Sequence, residues 1–241
     1  MNQAAMDRVI QVLKRISDKE WEDYLRNEPE WQFTMPLSKI YPENTFICFM
    51  LTAGLNDYQL KGRAEKVYWP KLVKLGQKGK IPQGRDDLIA LLKPFYQNER
   101  FHETKINRLF RFLKSELARW LWQADKLLIA DSFDTIWERL AFTMRQRSYK
   151  KTIVFAMKCL FIALRMLNVG VEAIKCNMPI AVDSRIKKIT SKLQLLGPQK
   201  LNETAIQEVW QDILKEIQKE RPQITIFHLD SYLWQMAGGI N

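Results

Sequence analysis

Two adjacent lysines, Lys150 and Lys151, stand where the stretch RSYKKTIVFAMKCLFIALRML turns from a basic hinge into a long apolar helix. Burying an ammonium is expensive unless something is gained by it. What can be gained is nucleophilicity: desolvation and a neighbouring cation both favour the neutral amine, which can attack an electrophilic carbon and form a Schiff base. The spacing alone leaves either lysine in that role. A second chemical group is Asp183 in MPIAVDSRIKKI, where a Pro-containing extended segment delivers a carboxylate to a helix start. Capping free backbone N–H groups is the ordinary use of an Asp there, and a carboxylate so held can also move protons.

The elements that must position these groups are helical. FDTIWERLAFTM and the lysine helix are joined by the short hinge RQRSYKK, and two helices so joined can present backbone N–H groups and helix N-terminal dipoles to a phosphate. Any helical protein contains such pairs, so the hinge alone is weak evidence. Apolar spacing at Met6, Val9, Ile10, Leu13 and Ile16 predicts an amphipathic N-terminal helix. Helical signal returns from about Pro42 to Ala53, stops at Gly54, and is followed by a polar turn and a short helix broken by Pro70. Asp86 can cap the next helix, and residues 98 to 130 read as one or two helices rich in Phe, Leu and Trp. The lysine helix runs to about Leu167, a helix follows from Asp183 to about Leu195, another starts after Asn202 or Thr204, and ITIFHLDSYLWQMAGG closes the chain as a helix. Alternating strand patterns are scarce, so the class is all-α.

A chain of 241 residues with 46% hydrophobic content can bury one large core or two lobes sharing a cleft. The net charge is +11, and its position says more than its size: between Arg145 and Lys200 twelve Lys or Arg face two acids, a net +10. Such concentration is the footprint of a polyanion, most often nucleic acid, though a solvated basic surface has the same composition. Cys48, Cys159 and Cys176 are too few and too scattered for a disulfide framework or a cluster of four thiolates, and His102 and His228 are too far apart for a zinc site. The N-terminus lacks the apolar run of a signal peptide, and Lys158 and Arg165 interrupt the most apolar helix. The expectation is an intracellular, cytoplasmic protein that neither is secreted nor enters a membrane.

Three stretches, KTIVFAMK (Lys151 to Lys158), PIAVDSRI (Pro179 to Ile186) and LDSYLW (Leu229 to Trp234), occur in this order and together resemble the archaeal 8-oxoguanine DNA glycosylase (AGOG) family of the helix-hairpin-helix DNA glycosylase superfamily. The resemblance implies an all-α fold of two helical lobes, one from residues 1–96 plus 201–241 and a catalytic lobe from 97–200, with the active-site cleft between them. It implies a bifunctional glycosylase and AP lyase that excises 8-oxoguanine through a lysine Schiff base and β-elimination. The family lysine falls on Lys151, with Asp183 as acid–base partner. The flipped base would be held by Phe155, Lys158, Trp69, Asp230 and Trp234, with Gln32 a further reader, and the backbone by Arg145, Arg147, Lys150, Arg185, Lys187 and Lys188. The implied partner is double-stranded DNA carrying oxidised guanine, bound by a monomer in the nucleoid without metal or organic cofactor. Two departures stand out: the hinge has no glycine where superfamily hairpins carry Gly-x-Gly, and the four cysteines of the iron–sulfur branch are absent. The rival readings are the same scaffold acting on another lesion, and a noncatalytic nucleic-acid-binding module whose lysines only touch phosphates.

Overall fold

The structure, a computed structural model, describes residues 2–238, and among them there is no strand. Fourteen α-helices follow one another: α1 (Gln3–Lys14), α2 (Asp18–Arg26), α3 (Pro29–Ile40), α4 (Glu43–Asn56), α5 (Trp69–Lys78), α6 (Arg85–Gln97), α7 (His102–Leu113), α8 (Glu116–Gln123), α9 (Lys126–Asp131), α10 (Phe133–Met144), α11 (Lys151–Met166), α12 (Ser184–Lys192), α13 (Glu203–Gln218) and α14 (Ile226–Gly238). No helix among the described residues is long and apolar enough to cross a membrane. The chain divides into two compact units, one of residues 29–175 and one of residues 1–28 with 176–241. Helix α4 groups with the lysine helix α11 in the larger unit.

In the larger unit α4 and α11 are the core. Every residue of α4 from Thr45 to Asn56 is buried, and so is every residue of α11 from Ile153 to Leu164 except Phe155. Gly54 does not end α4 as the sequence suggested. It is the point of closest approach, where a Cβ would come within 2.8 Å of Ala156 Cα and Cys159 Sγ. Even alanine would therefore push the lysine helix outward, the overpacking strain that costs about 1–3 kcal/mol in a filled core. Pro70 likewise starts a helix instead of breaking one: it occupies the first turn of α5, where its missing N–H costs nothing. A single π-helical turn, Ala64–Tyr68, leads into it.

The smaller unit packs α1 on α13, and α14 on α2, α12 and α13. Its joints are polar at the ends and apolar between. Ser17 caps α2 in a reciprocal capping box with Glu20, and Asn202 caps α13 through Ala205 N–H. His228 is buried at the start of α14, where Nδ1 lies 3.2 Å from Thr225 N and 2.9 Å from its hydroxyl. Its Nε2 faces Glu22 on α2 at 3.6 Å, so this histidine ties two helices together.

Candidate active site

The hinge between α10 and α11 closes without glycine. Arg145 takes the left-handed conformation that glycine usually fills, at φ 53°, and the turn is completed by Arg145 N–H to Phe142 C=O and Gln146 N–H to Ala141 C=O, both 3.0 Å. Side chains supply the rest. Trp137 Nε1 donates to Ser148 C=O at 2.7 Å, and Thr152 Oγ1 to Gln146 Oε1 at 2.9 Å. Arg147 donates to the Tyr149 hydroxyl at 2.6 Å, while Lys150 Nζ lies 5.2 Å from the Tyr149 ring. Arg145, Arg147 and Lys150 are all exposed, so the turn displays three cations beside the N-terminus of α11.

Lys151 is the first residue of α11 and is exposed. This corrects the sequence-based argument that placed its ammonium in the apolar interior: the buried face of α11 begins two residues later, at Ile153. The buried lysine of α11 is Lys158, 3% exposed. Lys151, Phe155 and Lys158 follow at i, i+4 and i+7, one face of the helix, with burial deepening along it. Trp69, in the same unit, is fully buried at the first position of α5, and its Nε1 donates to Asp57 Oδ2 at 3.0 Å. Gln32 is exposed on α3.

The smaller unit assembles the other candidates. Asp183 is the N-cap of α12: Oδ1 accepts from Arg185 N–H at 2.9 Å and Ile186 N–H at 3.0 Å. Its side chain is 16% exposed, and Arg185 Nε lies 3.5 Å from Oδ2. The same guanidinium sits 5.5 Å over the Trp234 ring on α14, so Arg185 links the carboxylate to one of the base-binding candidates. The sequence reading gave Arg185 only a backbone-contact role and missed this bridge. Asp230, one turn before Trp234 on α14, is partly exposed, and Lys187 and Lys188 are exposed on α12. The cap was legible in the sequence. The bridge was not, because it depends on α12 packing against α14.

An exposed amine stands at a helix start beside a cationic turn, and a carboxylate caps another helix. A protein from Methanopyrus kandleri described as an N-glycosylase/DNA lyase is 25% identical over 213 residues, 88% of this chain and 81% of that protein. One with the same description from Pyrobaculum aerophilum is 25% identical over 248 residues, 98% of this chain and 87% of that protein. In fold, the chain is similar to the crystal structure of the 8-oxoguanosine complex of Pa-AGOG, an 8-oxoguanine DNA glycosylase from Pyrobaculum aerophilum, with a TM-score of 0.76, 20% identity, and coverage of 98% of this chain and 88% of that one. Residues 10–241 match the family model AGOG, described as N-glycosylase/DNA lyase. The chain belongs to the AGOG family of N-glycosylase/DNA lyases.

Proposed function

We propose that this protein removes 8-oxoguanine from double-stranded DNA and then cleaves the strand, with Lys151 as the nucleophile. The Lys151 amine forms a bond to the sugar C1′ while the C1′–N9 bond breaks, and the base leaves with that electron pair and a proton. Opening of the sugar ring gives a Schiff base. Loss of a C2′ proton then expels the 3′ phosphate, and water returns the free amine. The observation that carries the reading is the place of Lys151: exposed, first in α11, and immediately after the turn that displays Arg145, Arg147 and Lys150. A strand held by those cations puts its sugar near that amine. Because Lys151 is exposed, the desolvation that favours a neutral amine has to come from the DNA that covers it.

Asp183 takes the acid–base role, stabilising positive charge on the sugar and passing protons during elimination. Its Oδ1 is committed to two backbone N–H groups, which fixes the carboxylate, and Arg185 Nε lies beside Oδ2. Phe155, Trp69 and Trp234 supply stacking faces for a flipped base, Lys158 and Asp230 its polar contacts, and Gln32 a further contact from α3. The solved 8-oxoguanosine complex of Pa-AGOG supports the choice of lesion. The test is base release by the full-length protein from duplexes carrying 8-oxoguanine, uracil or no lesion, alongside Lys151→Gln. The expected result is release from the first duplex alone, lost in Lys151→Gln with DNA binding retained. Release from a different lesion would overturn the substrate, and unchanged release by Lys151→Gln would overturn the nucleophile.

A further inference from the structure

Helix α7 carries two cations into the interior of the larger unit. Lys105 is 0% exposed and Arg108 7% exposed, and they lie one turn apart on the stripe that also holds Leu109 and Phe112. Lys105 Nζ is 3.6 Å from Glu99 Oε2. Among the described residues Arg108 Nε and Nη2, and the buried Tyr58 hydroxyl, have no hydrogen-bond partner. Burial pushes both cations below their ordinary pKa, with Glu99 acting against it at Lys105 and Tyr58 at Arg108. A set of charges like this is poor at stabilising a fold, since well-packed apolar side chains of the same volume serve as well or better. What charges add is a preferred orientation for whatever they grip.

They grip one aromatic ring. Lys105 Nζ is 5.2 Å and Arg108 Cζ 5.0 Å from the centre of Tyr58, and Lys105 also lies 5.9 Å from the Tyr68 ring. Glu99 holds the same segment by its backbone, accepting from Lys61 N–H at 3.4 Å. The segment needs holding, because Gln59 is in the left-handed region at φ 44° without being glycine. Its two ends both meet Trp69. Asp57 at the head accepts the Trp69 indole N–H at 3.0 Å. Tyr68 at the tail closes the π-helical turn, lies edge-on to Trp69 with centroids 5.4 Å apart, and donates to Ala53 C=O at 2.8 Å.

We infer that Lys105 and Arg108 form a cationic clamp on Tyr58 that positions Trp69, through Asp57 and Tyr68, as a wall of the base-binding site. This rests on the assignment of Trp69 to that site made above. Lys105 and Arg108 are positioning residues, acting on the base only through Tyr58 and Trp69. The consequence separates two steps of the reaction: seating the damaged base needs Trp69 in place, whereas cleaving a strand that has already lost its base does not.

The experiment compares base release from an 8-oxoguanine duplex with strand cleavage of a preformed abasic duplex, in single turnover, for Lys105→Met, Arg108→Met, Arg108→Lys, Tyr58→Leu and Trp69→Leu. A small displacement of a positioned group can cost up to about a hundredfold in rate, so the expected result is a ten- to hundredfold loss of base release, roughly, in all but Arg108→Lys. Abasic cleavage by the Lys105, Arg108 and Tyr58 variants should stay within about twofold of wild type, well under the tenfold that 1.4 kcal/mol represents. Arg108→Lys keeps a cation at the ring and should retain most of the excision rate. Should Lys105→Met fail to fold, Tyr58→Leu tests the same contact from the half-buried side. Equal loss of both activities, or unchanged base release in a folded Tyr58→Leu protein, overturns the inference. Unimpaired excision by Trp69→Leu removes the assignment on which it rests, and with it the inference. A wild-type protein that cleaves abasic DNA but releases no 8-oxoguanine instead overturns the proposed substrate.

Discussion

At the scale of single residues, Asp183, the proposed acid–base group, is also the cap of a helix. Its carboxylate is held by two backbone N–H groups at the start of α12, so its orientation is set before any substrate arrives. Asparagine caps helices about as well as aspartate, whereas alanine costs about 1 kcal/mol. Asp183→Asn should therefore keep the thermal midpoint and lose strand cleavage by at least about a hundredfold, as removal of a positioned acid–base group does. Asp183→Ala should lose both. A thermal melt beside a cleavage time course checks the pair, and full cleavage by Asp183→Asn would show that only the cap matters. The position of Asp183 was readable because a Pro-led extended run followed by a basic helix has few other meanings. The exposure of Lys151 was not readable: an apolar run says which helix is buried but not how many residues of its first turn stand outside. Lys105 did leave a signal, since it keeps the spacing of Arg108, Leu109 and Phe112 and so occupies a core register on α7.

At the scale of elements, the turn from α10 to α11 replaces glycine with side chains. Non-glycine residues in the left-handed region cost about 1 kcal/mol or more, and Arg145 bears that strain. The strain is compensated if the guanidinium touches DNA. Arg145→Gly should stabilise the protein by about 1 kcal/mol while flattening the dependence of log K on log salt by roughly 0.9, the share of one phosphate contact. Thermal unfolding and a salt titration of DNA binding check both halves, and an unchanged salt slope would remove Arg145 from the interface. Most helices declared themselves by apolar period and caps, including α1, α10, α11 and α13. Residues 98–130, read as one or two helices, form most of three, because Lys114–Ser115 and Ala124–Asp125 are two-residue joints without Gly or Pro. Helices α2 and α3 left a weaker mark: α2 is short, and α3 carries Pro36 inside it. Continuation of α4 through Gly54 could not be read at all, since the glycine answers to Ala156 and Cys159 a hundred residues away in sequence.

At the scale of the whole molecule, burial of phenols sets a limit on alkaline stability. Burial pushes Tyr41 up to about 12 and Tyr68 and Tyr96 upward as well, with the Tyr68–Tyr96 hydroxyl contact at 3.2 Å reinforcing the rise at Tyr68. A group whose pKa is raised by folding stabilises the folded state fully below its unfolded value, near 10, and loses that contribution as pH climbs toward the folded one. The expected outcome is that these buried phenols ionise only together with loss of helix above about pH 10, followed by phenolate absorbance and circular dichroism. Titration of all seven tyrosines with helix intact would contradict it. The concentrated charge of residues 145–200 announced a polyanion partner from composition alone, but the division of labour among candidates was set by packing: Lys151, Phe155, Lys158 and Trp69 in one unit, Asp183, Asp230 and Trp234 in the other. The measurement that tests the central claim most directly is borohydride trapping on an 8-oxoguanine duplex, comparing wild type with Lys151→Gln. The account predicts a covalent protein–DNA adduct formed by wild type and absent from Lys151→Gln, with undamaged duplex giving none. An adduct that survives Lys151→Gln would place the nucleophile elsewhere, and no adduct from a wild-type protein that still binds the duplex would contradict lysine Schiff-base chemistry altogether.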